Sequence, residues 1–575
     1  MSADVDVCVV GSGAGGGPVA LSVARAGYSV VVLEKGPWLR DEDFTKDEIG
    51  ECLRSKYTPN KRLEPQVIET PDGTGGFVSA PTSKTRWDFW NGTMVGGATN
   101  LMSGFFLRMK PEDFRLRSTY GPVEGADVVD WPISYDDLEP WYDLVEREVG
   151  VSGRVAPHPL ADRRSSRDFP LPPLDEHPFA EWLDRTAPRL GIHPFPVPRA
   201  ILSEARVGRA QCLYTGYCGS YGCTTGAKGS SRAALLPEAV ATGRCDVRPR
   251  ATARRVLTDS TGRATGVEYH DAQGAVHVVT ARIVVVACQA IESARLLLLS
   301  TGPRHPNGLG NGSGRVGRNL IFSPDGAGWG EFPYAKFPSG PGKGLRSTET
   351  FVNRAVQDWY SFEGPSGGRR RKGGTLDFLL KHPNPIGASL SLATWDQVKA
   401  DEAPIWGAPL KEKLRHYFRD VLHLRFEIFA DWMPVENCRV MLSPSLKDPA
   451  GVPVAHVRVE GHPYNREAAA FLCARGAEVL RAMGAENVRT YENGGPSTNL
   501  VAGTCRFGAD PRTSVLDPDC RVHEADNVFV TDGSFMPTGG SVPYTFTIYA
   551  NSFRVAEKIV RQLGGPQAAT APKPR

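Results

Sequence analysis

Residues 7–10 form an unbroken apolar run that ends in a glycine-rich turn, Gly11 to Gly16. A second apolar run, 28–33, ends on Glu34. The pattern predicts a strand, a turn, a helix and a second strand within the first forty residues. A loop-rich stretch follows, and 153–200 is dense in proline and reads as a connection or surface excursion. Regular patterning returns at 226–300. It predicts a helix over 230–241 ended by Gly243, a strand over 247–257, a hairpin of 267–270 and 276–286, and a Leu-rich helix over 291–300. Residues 283–288 are apolar throughout, as in a strand covered on both faces.

The middle has a different texture. Gly/Pro loops alternate with strands such as 423–429 and 452–459, which predicts an antiparallel sheet, and 464–483 predicts an amphipathic helix. The end returns to the first style, with a short apolar strand at 527–532 and a closing helix over 545–563. Ser134 and Asp137 stand at the spacing of a capping box ahead of an acidic helix. We expect an α/β fold in which a Rossmann-like domain is assembled from 1–152, 201–300 and 490–565. An α+β domain with an antiparallel sheet is inserted as 153–200 and 301–489, and a Pro/Ala-rich tail, 566–575, is expected to be disordered.

Composition narrows the function. The 575 residues carry a net charge of +3, which gives no case for nucleic acid. The most basic run, 369–372, reads as a solvated loop. No stretch is apolar enough to span a bilayer. The N-terminus reads as a core strand, not a signal peptide. Eleven scattered cysteines make a disulfide framework the weaker reading, so the cytoplasm is the expected compartment.

The first turn carries chemistry. Gly11 makes it tight, Gly13 lets backbone approach a pyrophosphate, and Gly16 lets the helix pack on the strand. The helix N-terminus faces the phosphates, with Ser12 beside them. Glu34 stands where a carboxylate holds ribose hydroxyls, roughly 20 residues on. This signals a dinucleotide without choosing FAD over NAD.

Five further stretches decide that choice. They are 91–100 (NGTMVGGATN), 287–297 (ACQAIESARLL), 503–508 (GTCRFG), 527–537 (NVFVTDGSFMP) and 543–548 (PYTFTI). With the N-terminal turn, and in this order, they resemble the glucose–methanol–choline (GMC) flavoprotein oxidoreductases over nearly the full length. The resemblance implies a non-covalent FAD held by Gly11, Ser12, Gly13, Gly16, Glu34, Gly96, Gly97, Thr99, Asn100, Ala253, Asp532, Gly533 and Thr545. It implies hydride transfer from a CH–OH carbon to flavin N5 while a base takes the hydroxyl proton.

Within the family, 212–243 is similar to the flavoprotein subunit of gluconate 2-dehydrogenase and related sugar dehydrogenases. Some of those relatives hold an iron–sulfur cluster here. Cys212, Cys218 and Cys223 either bind such a cluster or are ordinary thiols in a Gly-rich loop; Thr215 stands where a further cysteine is expected.

The reactive end departs from the family. The usual base, a His three residues before Gly503, is Leu500. Its partner position is Pro543, or Val542 on the other alignment. None can take a proton. Asn499, Tyr544 and His462 are the candidates left, by chemistry or by nearness to the motifs. Cys288 and Cys505 read as packing, and Arg506 as a ligand of a phosphate or a structural carboxylate. The expected function is FAD-dependent oxidation of a hydroxyl on a sugar, sugar acid, glycoside or aminosugar. Dioxygen, a quinone or a redox protein would be the acceptor. The alternative is a flavin-binding electron-transfer subunit or an FAD enzyme with other chemistry.

Overall fold

The protein is described here by a computed structural model covering residues 3–567, apart from 54–59, 63, 86, 90–91, 162, 207, 338–343, 347–349, 365–367 and 396–404. The opening strand, Val5–Val10, lies between two parallel neighbours, Val30–Glu34 and the second half of Val276–Val286. Cys245–Pro249 adds beyond Val30–Glu34, and Val528–Val530 beyond Val276–Val286, both parallel. These strands come from three separated stretches of chain, and helices Gly16–Arg25 and Thr545–Leu563 pack together beside them. Parallel strands buried on both faces explain the unbroken apolar runs.

The 11-residue strand Val276–Val286 serves two sets of partners. Its first half pairs antiparallel with Ala264–His270, which pairs with Thr252–Thr258. The single strand expected over 247–257 is in fact two. Arg250 takes φ +57°, and the Arg250 and Ala251 amides donate to the carbonyls of Gly36 and Glu34. The chain turns out of the parallel sheet there and re-enters beside the hairpin.

A second sheet of six strands runs Glu486–Tyr491, Ala327–Pro333, Val421–Ala430, Gly374–Leu380, Arg354–Val356 and Phe195–Pro196, antiparallel throughout. Strand alternation gives it two faces. Leu424, Phe426 and Ile428 pack with Leu472, Cys473 and Leu480 of the helix Pro463–Ala482. Arg425, Glu427 and Phe429 face the other way.

The strand expected at 452–459 forms as Pro453–Arg458 but belongs elsewhere. It pairs parallel with Val67–Pro71 in a four-stranded sheet with Phe77–Pro81 and Arg439–Lys447. That sheet joins residues assigned from sequence to different domains. Local periodicity finds strands and says nothing of which distant strand pairs with which.

The basic run is also corrected. Arg370–Lys372 is a strand paired with Ser361–Glu363. Lys372 is buried, with Nζ 2.7 Å from Asp113 Oδ1 and 3.2 Å from the Tyr360 ring centroid. A buried carboxylate 259 positions away in the chain draws this cation inward. The capping box forms as expected, Ser134 N donating to Asp137 Oδ2 at 2.8 Å. In the tail, the Gln567 amide donates to Ala26 O, and residues from 568 on lie outside the described ones. Among the described residues, no helix is long and apolar enough to cross a membrane.

Lys372→Met strips Asp113 of its buried ion-pair partner, and a loss of about 3–5 kcal/mol in stability follows. Urea unfolding of the variant reads this directly; a change under about 1 kcal/mol contradicts the pairing.

Candidate active site

Three chain segments meet at the first glycine turn. Gly11 takes φ +98°, and a Cβ there would lie 2.2 Å from the Ala287 carbonyl oxygen. A Cβ on Gly15 would lie 2.7 Å from Asp532 N, and one on Gly13 would touch Gly97 Cα at 3.9 Å. Gly16 packs the helix onto the strand, its Cβ position 1.9 Å from Gly11 O. At Gly11, Gly15 and Gly16 only glycine admits these approaches, while Gly13 lies at ordinary contact distance from Gly97.

Ser12 ties the segments together. Its amide and hydroxyl both donate to Glu34 Oε2, at 3.2 and 2.5 Å. Its hydroxyl accepts from Gly96 N at 2.8 Å, and its carbonyl accepts from Ser231 Oγ at 2.7 Å. Glu34 Oε1 accepts from Gly36 N. Burial pushes the Glu34 carboxyl above its ordinary value against these hydrogen bonds. Gly96 takes φ +88°, where a Cβ would meet Arg232 at 2.7 Å. Thr99 Oγ1 donates to Gly96 O and accepts from Ser231 N. Asn100 Nδ2 donates to the carbonyls of Val95 and Gly97, and its Oδ1 accepts from Arg232 Nε.

A cavity of about 610 Å³ opens on this turn. Gly11, Ser12, Gly13, Glu34, Gly97, Thr99, Ala253, Asp532, Gly533 and Thr545 line it. Gly16, Gly96 and Asn100 do not; they brace the residues that do. The Asp532 carboxylate is already committed to the Gln289 and Ser534 amides and the Ser293 and Ser534 hydroxyls. Its part is to fix the backbone that reaches the cavity. Asn91, the first residue of its motif, lies outside the described residues. The turn, the left-handed glycines and the buried acid at the second strand end fit the adenosine and pyrophosphate of FAD.

The six-stranded sheet supplies the opposite wall through Glu427 and Phe429. The segment 496–500, Pro543, Tyr544 and Asp325 close the cavity. Asn499 and Tyr544 therefore reach it. Asn499 Oδ1 accepts from Ser497 Oγ at 2.7 Å. The Tyr544 hydroxyl donates to Phe322 O, and burial with the nearby Asp431 charge pushes its phenol well above the ordinary value. Leu500 packs against the main core.

His462 does not line the cavity. It caps the helix Pro463–Ala482, Nδ1 accepting from Tyr464 N, with Nε2 against Glu124 O at 2.8 Å. Its place before the first helical turn makes its ring nitrogen the partner of an otherwise orphaned amide.

Cys212, Cys218 and Cys223 gather against one small apolar cluster with Leu202 and Phe351. The loop is held by the buried Lys228 ammonium, which donates to the carbonyls of Asn100, Cys218 and Tyr221. Among the described residues, no group of three or more His, Cys, Asp or Glu is arranged to hold a metal ion. The iron–sulfur expectation has no support and is dropped. Cys288 lines the cavity with Sγ on Val10 O, while Cys505 is core. Arg506 pairs with Asp127 at 2.8 Å, the structural carboxylate of the two readings.

Sequence reasoning missed Asp325 and Glu427. The alternation of Arg425, Glu427 and Phe429 marked one sheet face, but nothing local said that this face meets a cofactor cavity.

Comparison with known proteins now fixes the class. GMC oxidoreductase family models match residues 178–325 and 434–552. The chain is 33% identical to 6'''-hydroxyparomomycin C oxidase of Streptomyces lividus, over 98% of this chain and 93% of that protein. It is 26% identical to the gluconate 2-dehydrogenase flavoprotein of Pantoea cypripedii, over 97% and 94%. A formate oxidase of Aspergillus oryzae RIB40, solved in connection with FAD modification, shares the fold with TM-score 0.61 at 15% identity, covering 98% of this chain and 99% of that one. The chain belongs to the GMC oxidoreductase family. It is a flavoprotein oxidoreductase that uses FAD and acts on CH–OH donors.

Gly11→Ala forces a methyl into the Ala287 carbonyl. The purified variant is expected to retain less than about a tenth of the FAD per chain, measured from flavin absorbance after desalting. Full retention contradicts the cradle.

Proposed function

We propose that the protein oxidises a hydroxyl of a polar, multi-hydroxyl small molecule, a sugar, sugar acid, glycoside or aminosugar. FAD is held non-covalently by the residues around the first turn and supplies the hydride acceptor. The observation that carries this reading is one continuous cavity. It runs from Ser12 and Glu34 to a substrate wall rich in hydrogen-bonding groups, Asp325, Glu427, Ser497, Thr498 and Asn499. Such groups pair hydroxyls, and the two carboxylates also suit an ammonium on an aminosugar. The relatives named for 6'''-hydroxyparomomycin C and gluconate support the same substrate class. Asn499 orients the reacting hydroxyl, and Tyr544 shapes the floor beneath it. Dioxygen, a quinone or a redox protein takes the electrons onward. We assign the protein to the cytoplasm, on its scattered cysteines, ten of them free among the described residues.

Anaerobic mixing with a panel of sugars, sugar acids and aminosugars is expected to bleach the oxidised-flavin absorbance with at least one member. Adding air, a quinone or a redox protein to the bleached enzyme then identifies the acceptor by the return of colour. No bleaching across the panel overturns the substrate class.

A further inference from the structure

We propose that Asp325 is the catalytic base, taking the proton from the substrate hydroxyl in place of the histidine that Leu500 replaces. The inference deepens the functional reading above and rests on it.

The segment carrying Asp325 is clamped between the two stretches where the family keeps its catalytic pair. On one side, Ile321 and Ala502 exchange both backbone hydrogen bonds at 2.9 Å. Ser497 N donates to Ser323 O at 2.8 Å, and Asp325 N donates to Gly495 O at 2.7 Å. On the other side, the Tyr544 hydroxyl donates to Phe322 O. The residues flanking Leu500 and Pro543 thus hold the chain that ends in Asp325, and all three positions line one cavity.

Elimination leaves the same residue. Leu500, Pro543 and Val542 have no proton acceptor. Asn499 is an amide. The Tyr544 hydroxyl is spent on a carbonyl, and its raised phenol stays protonated at neutral pH. His462 lies outside the cavity; His270 lines it at the Glu34 end, on the strand paired with Thr252, and Glu292 and Asp448 are both paired with Arg295. Of the two carboxylates on the substrate wall, Glu427 is paired with Arg425 at 3.1 Å. The half-buried Asp325 side chain has no hydrogen bond or ion pair among the described residues.

The surroundings tune it for the task. Burial raises the Asp325 carboxyl above its ordinary value, Arg425 opposes that, and Glu427 adds to it. Tyr491 and Cys473 also stand within electrostatic reach, from the neighbouring strand and helix. A carboxylate lifted toward neutral is a stronger base than an exposed one.

The step balances. The O–H bond breaks and its proton forms the Asp325 carboxylic acid. The C–H bond breaks and the hydride, with its electron pair, goes to FAD. The carbinol becomes a carbonyl, and the proton leaves to solvent through the open cavity.

The test is Asp325→Asn and Asp325→Glu in the FAD-loaded enzyme, with flavin reduction followed by anaerobic stopped flow. Asp325→Asn is expected to slow reduction by about 10²–10⁴-fold, with partial recovery in Asp325→Glu. The wild-type rate should fall as pH drops through an apparent pKa above the ordinary aspartate value of 3.8, because only the ionised form accepts a proton. Independently of turnover, pH-difference infrared spectra of the substrate-free enzyme should show one protonated carboxyl band that vanishes in Asp325→Asn. Reduction within threefold of wild type in Asp325→Asn, or a wild-type rate flat across the acidic range, overturns the assignment. If Asp325→Asn does not retain FAD, the wild-type pH profile and Asp325→Glu decide alone. Failure of the wild type to be reduced by any substrate would instead be failure of the functional reading.

Discussion

The hydrogen-bonded knot at Ser12 is the constraint on which the rest of the structure depends. One serine joins the first strand to Glu34 at the end of the second, to Gly96 in the flavin-side loop and to Ser231 at the head of a helix. Each partner comes from a different part of the chain, and all of them are buried. A buried polar cluster of this kind is worth having only when complete, because every unpaired member costs about 1–3 kcal/mol. Around it, the backbones of Gly11 and Ala287, and of Gly15 and Asp532, approach within distances that a side chain forbids. The same close approach builds a concave surface of main-chain groups, and that surface is the cofactor site.

The substrate end follows a different logic. The six-stranded sheet has one face committed to its own helix and one left polar, and the polar face closes the cavity. The short run 321–325 then threads between the loop before Gly503 and the closing helix, by strand-like hydrogen bonds on one side and the Tyr544 hydroxyl on the other. Leu500, at the position where the family resemblance implies a histidine, lines this cavity together with Pro543 and Asp325. On our proposal the proton acceptor is Asp325 on this run, whose carboxylate lines the same cavity and has no hydrogen bond or ion pair among the described residues.

Much of this was legible in the sequence, and the boundary is physical. The parallel core, the closing helix and most of the residues lining the cavity beside the first turn are local patterns: apolar runs, glycines at fixed spacing, an acid after the second strand. The hidden features all depend on non-local pairing. Strand 453–458 joins 67–71 rather than the main antiparallel sheet, Lys372 turns inward to reach Asp113, and Arg250 breaks a strand by donating to Gly36. Asn100 and Asp532 were legible as site residues but not as braces, because their role lies in what their side chains already hold. The chemistry of His462 is legible in the sequence, but its helix-cap position commits that chemistry to the fold.

If the glycine knot around Ser12 holds FAD without a covalent bond, the flavin separates from the unfolded chain. The most direct measurement is the flavin content of the native purified chain, followed by acid precipitation. About one FAD per chain is expected, released intact into the supernatant while the pellet turns colourless. A chain purified without flavin, or a pellet that keeps its yellow colour, would contradict it.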